Sequence, residues 1–354
     1  MTLDKSSPMT RRRALILAAA VGSAATFNPA MSWGKSIKKQ RQLWVTNAYG
    51  DDVHVFEVGS WKLLRHLVIG KDPHGISATA DGRTVHVNIE NIDSGNNGEL
   101  FWIDAPSGKI TDRLTLGPRP NEHECSPDGK WIYVPCRDGG YWWVVDGEKK
   151  KIVTKIHTGG RPHNTLISSD GQRMYLSPQG DPAKVFIVDI YKGHKIIGEI
   201  PFGDVTRPSA ISPDEKYFFQ NLNGLLGFEV ADIKSRKVIA RIRHRPLTDP
   251  YTDEERSHGI CVRPDGKEVW SSIMIDGMVY VHKIGNDAFP EIAKIKMPGH
   301  VYWIRFNRDS KYAFVSVFTT NQVVVVDCHK KEIVKHLDCG DTPKRTQVLD
   351  VPIG

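Results

Sequence analysis

Cysteine is scarce in this chain of 354 residues. There are five, an odd number: Cys125, Cys136, Cys261, Cys328 and Cys339. At least one thiol is therefore unpaired within the chain, and no Cys-x-x-Cys or Cys-x-x-Cys-His occurs, so covalent haem attachment is not indicated. No Gly-x-Ser-x-Gly elbow is present, and no glycine-rich phosphate cradle leads from a strand into a helix. Strong helix signals are lacking altogether. Beyond the first residues no apolar run is long enough to cross a bilayer. Excess charge is also modest: 48 Lys+Arg stand against 41 Asp+Glu. Setting aside residues 1–34 leaves 44 against 40, or +4, and four more positives (Lys35, Lys38, Lys39, Arg41) precede the first strand. The remaining body is near neutral, so the basic pI is no argument for a nucleic-acid partner.

The N-terminus reads as an export signal. Arg11-Arg12-Arg13 leads into Ala14-Leu15-Ile16-Leu17 and an alanine-rich stretch to Ala25. That is a basic segment, a short apolar segment and then small residues. The run resembles the twin-arginine consensus, with Arg12-Arg13 as the pair and without the favoured phenylalanine. The resemblance implies a bacterial protein exported to the periplasm after folding. The apolar segment is too short and glycine-interrupted to span well, so cleavage is expected and no membrane span remains. The expected organisation is a signal peptide over 1–34, a basic lead-in over 35–42 and one domain over 43–354. About 320 residues of this composition can bury a large core as one domain.

A unit of about 40–50 residues repeats along that domain, the spacing of propeller-like arrays. Each copy has a short strand, a turn such as Ser126-Pro127-Asp128-Gly129, and a strand such as Trp131-Ile132-Tyr133-Val134. A variable loop then leads to a third strand ending in Asp (Val185 to Asp189), and a lysine-rich turn to a fourth (Lys195 to Ile200). Pro-Asp-Gly presets one φ, bonds its own backbone and tolerates positive φ. The strands are rich in Val, Ile, Tyr and Trp. Turn aspartates fall at Asp81, Asp128, Asp170, Asp214, Asp265 and Asp309. A seventh unit is split: Leu43 to Asn47 is a second strand without a first, and Asp341 to Leu349 is a first strand without a second. Joining them closes a ring and leaves no free edge. The expected fold is all-β, a seven-bladed propeller of four-stranded blades.

Leu43-Trp44-Val45-Thr46-Asn47 resembles the YVTN motif, with Trp131 to Val134 and Arg173-Met174-Tyr175-Leu176 as looser copies. The chain thus resembles YVTN-repeat propellers over essentially its whole mature length. Such propellers occur as binding modules, surface-layer proteins and lactonases. Related ones form parts of amine dehydrogenases, nitrous oxide reductase and the haem-d nitrite reductase. The resemblance implies the fold and leaves function to the site.

In a propeller the loops before strand one and after strand two emerge on one face. Seven residues before each turn aspartate stand His74, Asn121, His163, Arg207, His258 and Tyr302, with Lys344 in the split blade. The repeat is expected to deliver them to the channel mouth. His74, His163 and His258 are candidate ligands for a divalent metal, the one cofactor considered, with His123, Cys125 and Cys136 as additional donors. Otherwise they are rim histidines that bond neighbouring backbone.

The same loops carry Lys71, Arg119, Arg161, Arg207, Arg256, Lys344 and Arg345, at least one cation per blade. A funnel of one sign attracts anions, and arginine's fork suits carboxylate or phosphate. The long loops from Asn88 to Glu99 and from His244 to His258 fall on this face. The second carries Tyr251, Asp253, Glu254 and Glu255 and is a candidate lid. Trp131, Trp142, Trp143 and Trp303 are expected to pack between blades.

The sequence therefore reads as a monomeric periplasmic propeller that binds an anionic small molecule or a redox partner protein. The alternative is a metal-assisted lactone hydrolase or lyase. There the three histidines hold the ion, Arg161 and Arg207 clamp a carboxylate, and Glu122 or Glu254 is the acid or base.

Overall fold

The computed structural model describes residues 38–92, 97–248 and 256–353. The expected leader and the segment from Tyr251 to Glu255, with its candidate acid Glu254, lie outside them. No helix among the described residues is long and apolar enough to cross a membrane.

Seven four-stranded antiparallel sheets form the ring. Each turn is built as its residues require. In the third blade Ser126 Oγ donates to Asp128 Oδ1 at 2.5 Å, and Asp128 Oδ1 accepts from Lys130 N at 3.0 Å. Gly129 follows at φ 73°. The same pattern recurs around Asp170 and Asp214.

The middle strands of a blade face neighbouring blades on both sides, so they read as unbroken apolar runs rather than alternating ones. Val323 to Val326 are all fully buried. Outer strands such as Lys195–Pro201 are largely exposed. The interblade cores hold the aromatic residues: Trp44, Trp142 and Trp270 are among the largest fully buried side chains. Ring closure runs as the split unit requires. Pro343–Pro352 pairs antiparallel with Lys39–Asn47, matching Leu43 with Val348 and Gln42 with Leu349. That strand starts two residues later and runs three further than its apolar pattern suggests. The innermost strand of the third blade is only Glu124–Cys125. Pro120 has no N–H to extend that ladder and makes an isolated bridge to Cys136. All five cysteines are free thiols.

Candidate functional site

Six of the seven rim positions share a backbone device. In six blades the ladder between the innermost and second strands slips where the rim residue sits. The slips fall between Pro73 and Ile76, Pro162 and Asn164, Thr206 and Ser209, Ser257 and Ile260, and Val301 and Trp303, and opposite Val45 to Asn47. A bulge leaves one residue unpaired and re-aims it. His74, His163, Arg207, His258, Tyr302, Lys344 and Arg345 lie within these slips. In the third blade Asn121 falls in the gap between Pro120 and Glu124.

Polar residues of the second strands hold the bulges from the neighbouring blade. Thr46 Oγ1 donates to His74 O at 2.9 Å, Asn88 Nδ2 to Pro120 O at 2.8 Å and Asn221 Nδ2 to His258 O at 3.0 Å. These were not singled out from sequence. Their signal was polarity at the ends of otherwise apolar strands, the Thr-Asn of Leu43 to Asn47 among them.

Above the bulges lies a cavity of about 330 Å3. Arg119, Arg137, Arg207, Arg256 and Lys344 line it, with His163, His258 and Tyr302, and its described lining includes no carboxylate. Mutual repulsion and burial mark this charge. Arg207 is pushed down to about 9, first by burial and then by Arg256. Arg137 is lowered by burial and by Arg119 and Arg161. Arg137 was missed in the sequence, although it follows the second strand of the third blade, in a loop on this face. Nε of both Arg137 and Arg207 is buried without a hydrogen-bond partner among the described residues. The Lys344 ammonium lies 5.0 Å from the Tyr302 ring centroid.

The other expected site residues lie around this pocket rather than on its lining. Arg161 is at the exposed rim, paired with Asp138 at 3.0 Å, and Lys71 is exposed. Arg345 is fully buried, its guanidinium 3.6 Å from the Trp303 ring centroid and its Nε against Glu122 Oε2. Trp303 is thus a platform for a cation as well as a packing residue. Burial raises Glu122 from its usual range, against the pull of Arg345 and Arg305.

His163 and His258 meet edge to face, 6.2 Å between centroids. Burial, then Arg345, holds both well below the usual imidazole range, so they are neutral at pH 7. His258 Nδ1 lies 2.9 Å from Tyr302 O, an acceptor, so that nitrogen carries the proton and Nε2 a lone pair. His74 lies elsewhere, with Nδ1 3.0 Å from Glu90 Oε1. Burial pushes His74 down to about 3. Burial favours neutral Glu90, but its neighbours His74, Lys344 and Arg119 outweigh that and hold it below the usual carboxylate range. Asn121 Nδ2 donates to Glu90 Oε1. His123 Nδ1 lies 2.6 Å from Asn88 Oδ1, and burial raises the Cys125 and Cys136 thiols, Cys136 to about 12. Two described His/Asp/Glu groups bring three donors within 4.8 Å of one another, Asp52–His54–His66 and His244–His282–Glu291, and neither contains a rim residue.

Another cavity, of about 190 Å3, is lined by Glu124, Cys261, Arg305 and Trp303 with largely apolar neighbours. Burial pushes Glu124 up to about 7 there, against Arg305.

With this geometry in place, comparison with known proteins is informative. Residues 132–349 match the family model described as Cytochrome D1 heme domain. No curated protein matches. Among solved structures, Kuenenia stuttgartiensis hydrazine synthase superposes with a TM-score of 0.67 at 18% identity, covering 80% of this chain and 96% of that one. The dihydro-heme d1 dehydrogenase NirN in complex with DHE gives 0.62 at 17% identity, covering 86% and 74%. The Pseudomonas aeruginosa periplasmic gluconolactonase PpgL gives 0.72 at 16%, covering 88% and 100%. At these identities the likeness establishes the fold.

Proposed function

Because the chain belongs to the Cytochrome D1 heme domain family, we propose that its funnel binds a small molecule bearing several carboxylates, of the haem d1 tetrapyrrole class. One observation carries this reading. Five cationic side chains line the cavity, with no carboxylate among the described lining residues. Glu90 and Asp138 stand near Arg119 at 3.8 and 3.9 Å, but Nε of Arg137 and of Arg207 is buried without a hydrogen-bond partner among the described residues, and buried charge of this kind is unfavourable until an anion compensates it. Arginine forks and a lysine then supply charge-assisted hydrogen bonds to carboxylates.

The residues fit such a group. Burial holds His163 and His258 neutral, and His258 Nε2 carries a lone pair, so either imidazole would be able to hold the iron of such a group. Arg207, Arg137 and Lys344 would hold the acidic substituents, and Tyr302 offers an aromatic face. When bound, the haem supplies redox-active iron. The chain's own part is to orient the ring and to exclude water. A small ligand is favoured over a redox partner protein because Arg207 and Lys344 are buried in the cavity wall. The lactone hydrolase reading draws on the gluconolactonase fold likeness. It would use a metal at His163 and His258, joined by His74, and Glu122 as base, although Glu122 is held against Arg345. The finer YVTN-repeat assignment, the cleaved twin-arginine leader, the periplasmic location and the monomeric state belong to the same proposal.

Titration of the mature protein with haem d1, or with a porphyrin dicarboxylate as probe, tests it. Arg207→Ala is expected to weaken binding by about thirtyfold, as for a lost charge-assisted bond of ~2 kcal/mol. Affinity is expected to fall as salt rises. Binding that ignores both salt and Arg207→Ala would sink the reading. A stoichiometric non-haem metal in the protein as isolated, present without any tetrapyrrole absorption and lost in His163→Ala, would move the hydrolase reading ahead.

A further inference from the structure

Away from the funnel, two imidazoles and a carboxylate meet between the fifth and sixth blades. His244 directly follows the outer strand of the fifth blade, Lys237–Arg243. His282 lies on the third strand of the sixth blade, Met278–Lys283, and Glu291 stands across from it on the outer strand. One donor atom from each lies within 4.8 Å of the other two.

Each ring is already held by its other side. His282 Nδ1 lies 2.8 Å from Phe289 O, which can only accept. Nδ1 therefore carries the proton, and in the neutral ring Nε2 presents its lone pair. That Nε2 is buried and has no hydrogen-bond partner among the described residues. His244 Nε2 lies 2.7 Å from Ser271 Oγ, and the ring stacks on Tyr280 at 4.0 Å and 3°. His244 Nδ1 is likewise buried and without a partner. Rings oriented from behind by a carbonyl, a hydroxyl and packing, with a free nitrogen in front, have the outer-shell arrangement of metal ligands.

We propose that His244, His282 and Glu291 bind a first-row divalent cation of the Zn2+ class, clamping the fifth blade to the sixth. Two imidazole nitrogens and one carboxylate oxygen select such ions over Mg2+ and Ca2+. Three protein ligands leave a position for water. Glu291 is on the exposed side of the group and provides the entry. Its present partner is Lys294, 3.3 Å away, a cation that competes with the metal for the same carboxylate. The Asp52–His54–His66 group differs. There Asp52 Oδ2 already engages His66 Nε2 at 2.5 Å and His54 Nε2 at 3.3 Å, so the donors satisfy one another.

The test is titration of the full mature chain with Co2+ followed by its visible absorption, and with Zn2+ by calorimetry. One equivalent is expected to bind at this group. Glu291→Gln, an exposed change that leaves the fold intact, is expected to weaken that equivalent by about tenfold or more, the size of loss typical of altered metal ligation. Lys294→Met is expected to tighten it, an effect that a purely structural Lys294 would not produce. His66→Ala is expected to leave it unchanged. Loss of the signal in His66→Ala, indifference to Glu291→Gln, or no binding even in Lys294→Met would each overturn the proposal.

Discussion

His86 lies wholly inside the second blade, its ring edge-on to Trp102 at 5.7 Å, and burial alone pushes its imidazole down to about 3. In the unfolded chain it titrates near 6.5. Below that pH the unfolded state takes up a proton that the folded state refuses. Stability from this group is therefore complete above pH 6.5 and is lost as pH falls toward 3. His86→Asn is expected to remove roughly 2–3 kcal/mol of the stability change between pH 7 and pH 4.5, read by urea unfolding at both values. Equal acid sensitivity in variant and parent would refute the assignment. The arginines teach a related lesson. Arg207 and Arg345 belong to the same rim pattern, yet one lines the cavity while the other is buried on Trp303 against Glu122. In each of these two slips two residues lack a ladder partner, Arg207 and Pro208 in one and Lys344 and Arg345 in the other, and the position within that pair separates Arg345 from the cavity-lining Lys344.

At the scale of the strand, the bulge explains the spelling His-Gly. A Cβ on Gly75 would stand closer than 3.0 Å to Asn88 Oδ1, Asn121 O and His123 Nδ1, two of which belong to the next blade. On Gly259 it would meet Ser272 Oγ at 2.7 Å. The glycine lets neighbouring blades approach where the histidine turns toward the channel. Gly75→Ala is therefore expected to cost about 1–3 kcal/mol, the range of forced overpacking, measured as a shift in denaturant midpoint at constant m-value. An unshifted midpoint would mean that the blades part there without strain. The Thr-Asn ending of the second strand belongs to the same device, since Thr46 accepts Arg345 N at 3.2 Å and donates to His74 O at 2.9 Å. From sequence this pair reads only as a family signature. Thr46 catches a bulge on each side, while Asn47 Nδ2 donates to Asp52 Oδ1 at 2.7 Å.

At the scale of the ring, closure depends on one strand contributed by the far end of the chain. Removing residues 343–353 would strip Lys39–Asn47 of one of its two partner strands and expose Leu43, Val45 and the paired edge. An unpaired, flat, apolar edge recruits other chains. The truncated protein is expected to elute as oligomers or to aggregate, read by light scattering against the intact chain. A monomeric, cooperatively unfolding truncation would show that six blades and a half suffice. The charge of the whole molecule is a poor guide to its site. The body after residue 34 carries a net of only +4, while five cations converge on one cavity.

The blade count, the split blade and the ring closure were legible in the sequence, because turn residues and apolar runs recur locally with each blade. The rim positions were legible for the same reason, and seven of the cavity's described residues had been marked in advance: Arg119, Arg207, Arg256, Lys344, His163, His258 and Tyr302. What the spacing cannot carry is direction and company. His74 lies against Glu90, Arg345 lies over the Trp303 ring, burial pushes Glu124 up to about 7, and His244 reaches His282 across a blade boundary. Each depends on a bulge or an interblade contact between residues distant in the chain. Repetition therefore determined the scaffold, and only the closing of the ring decided which of its polar residues share a site.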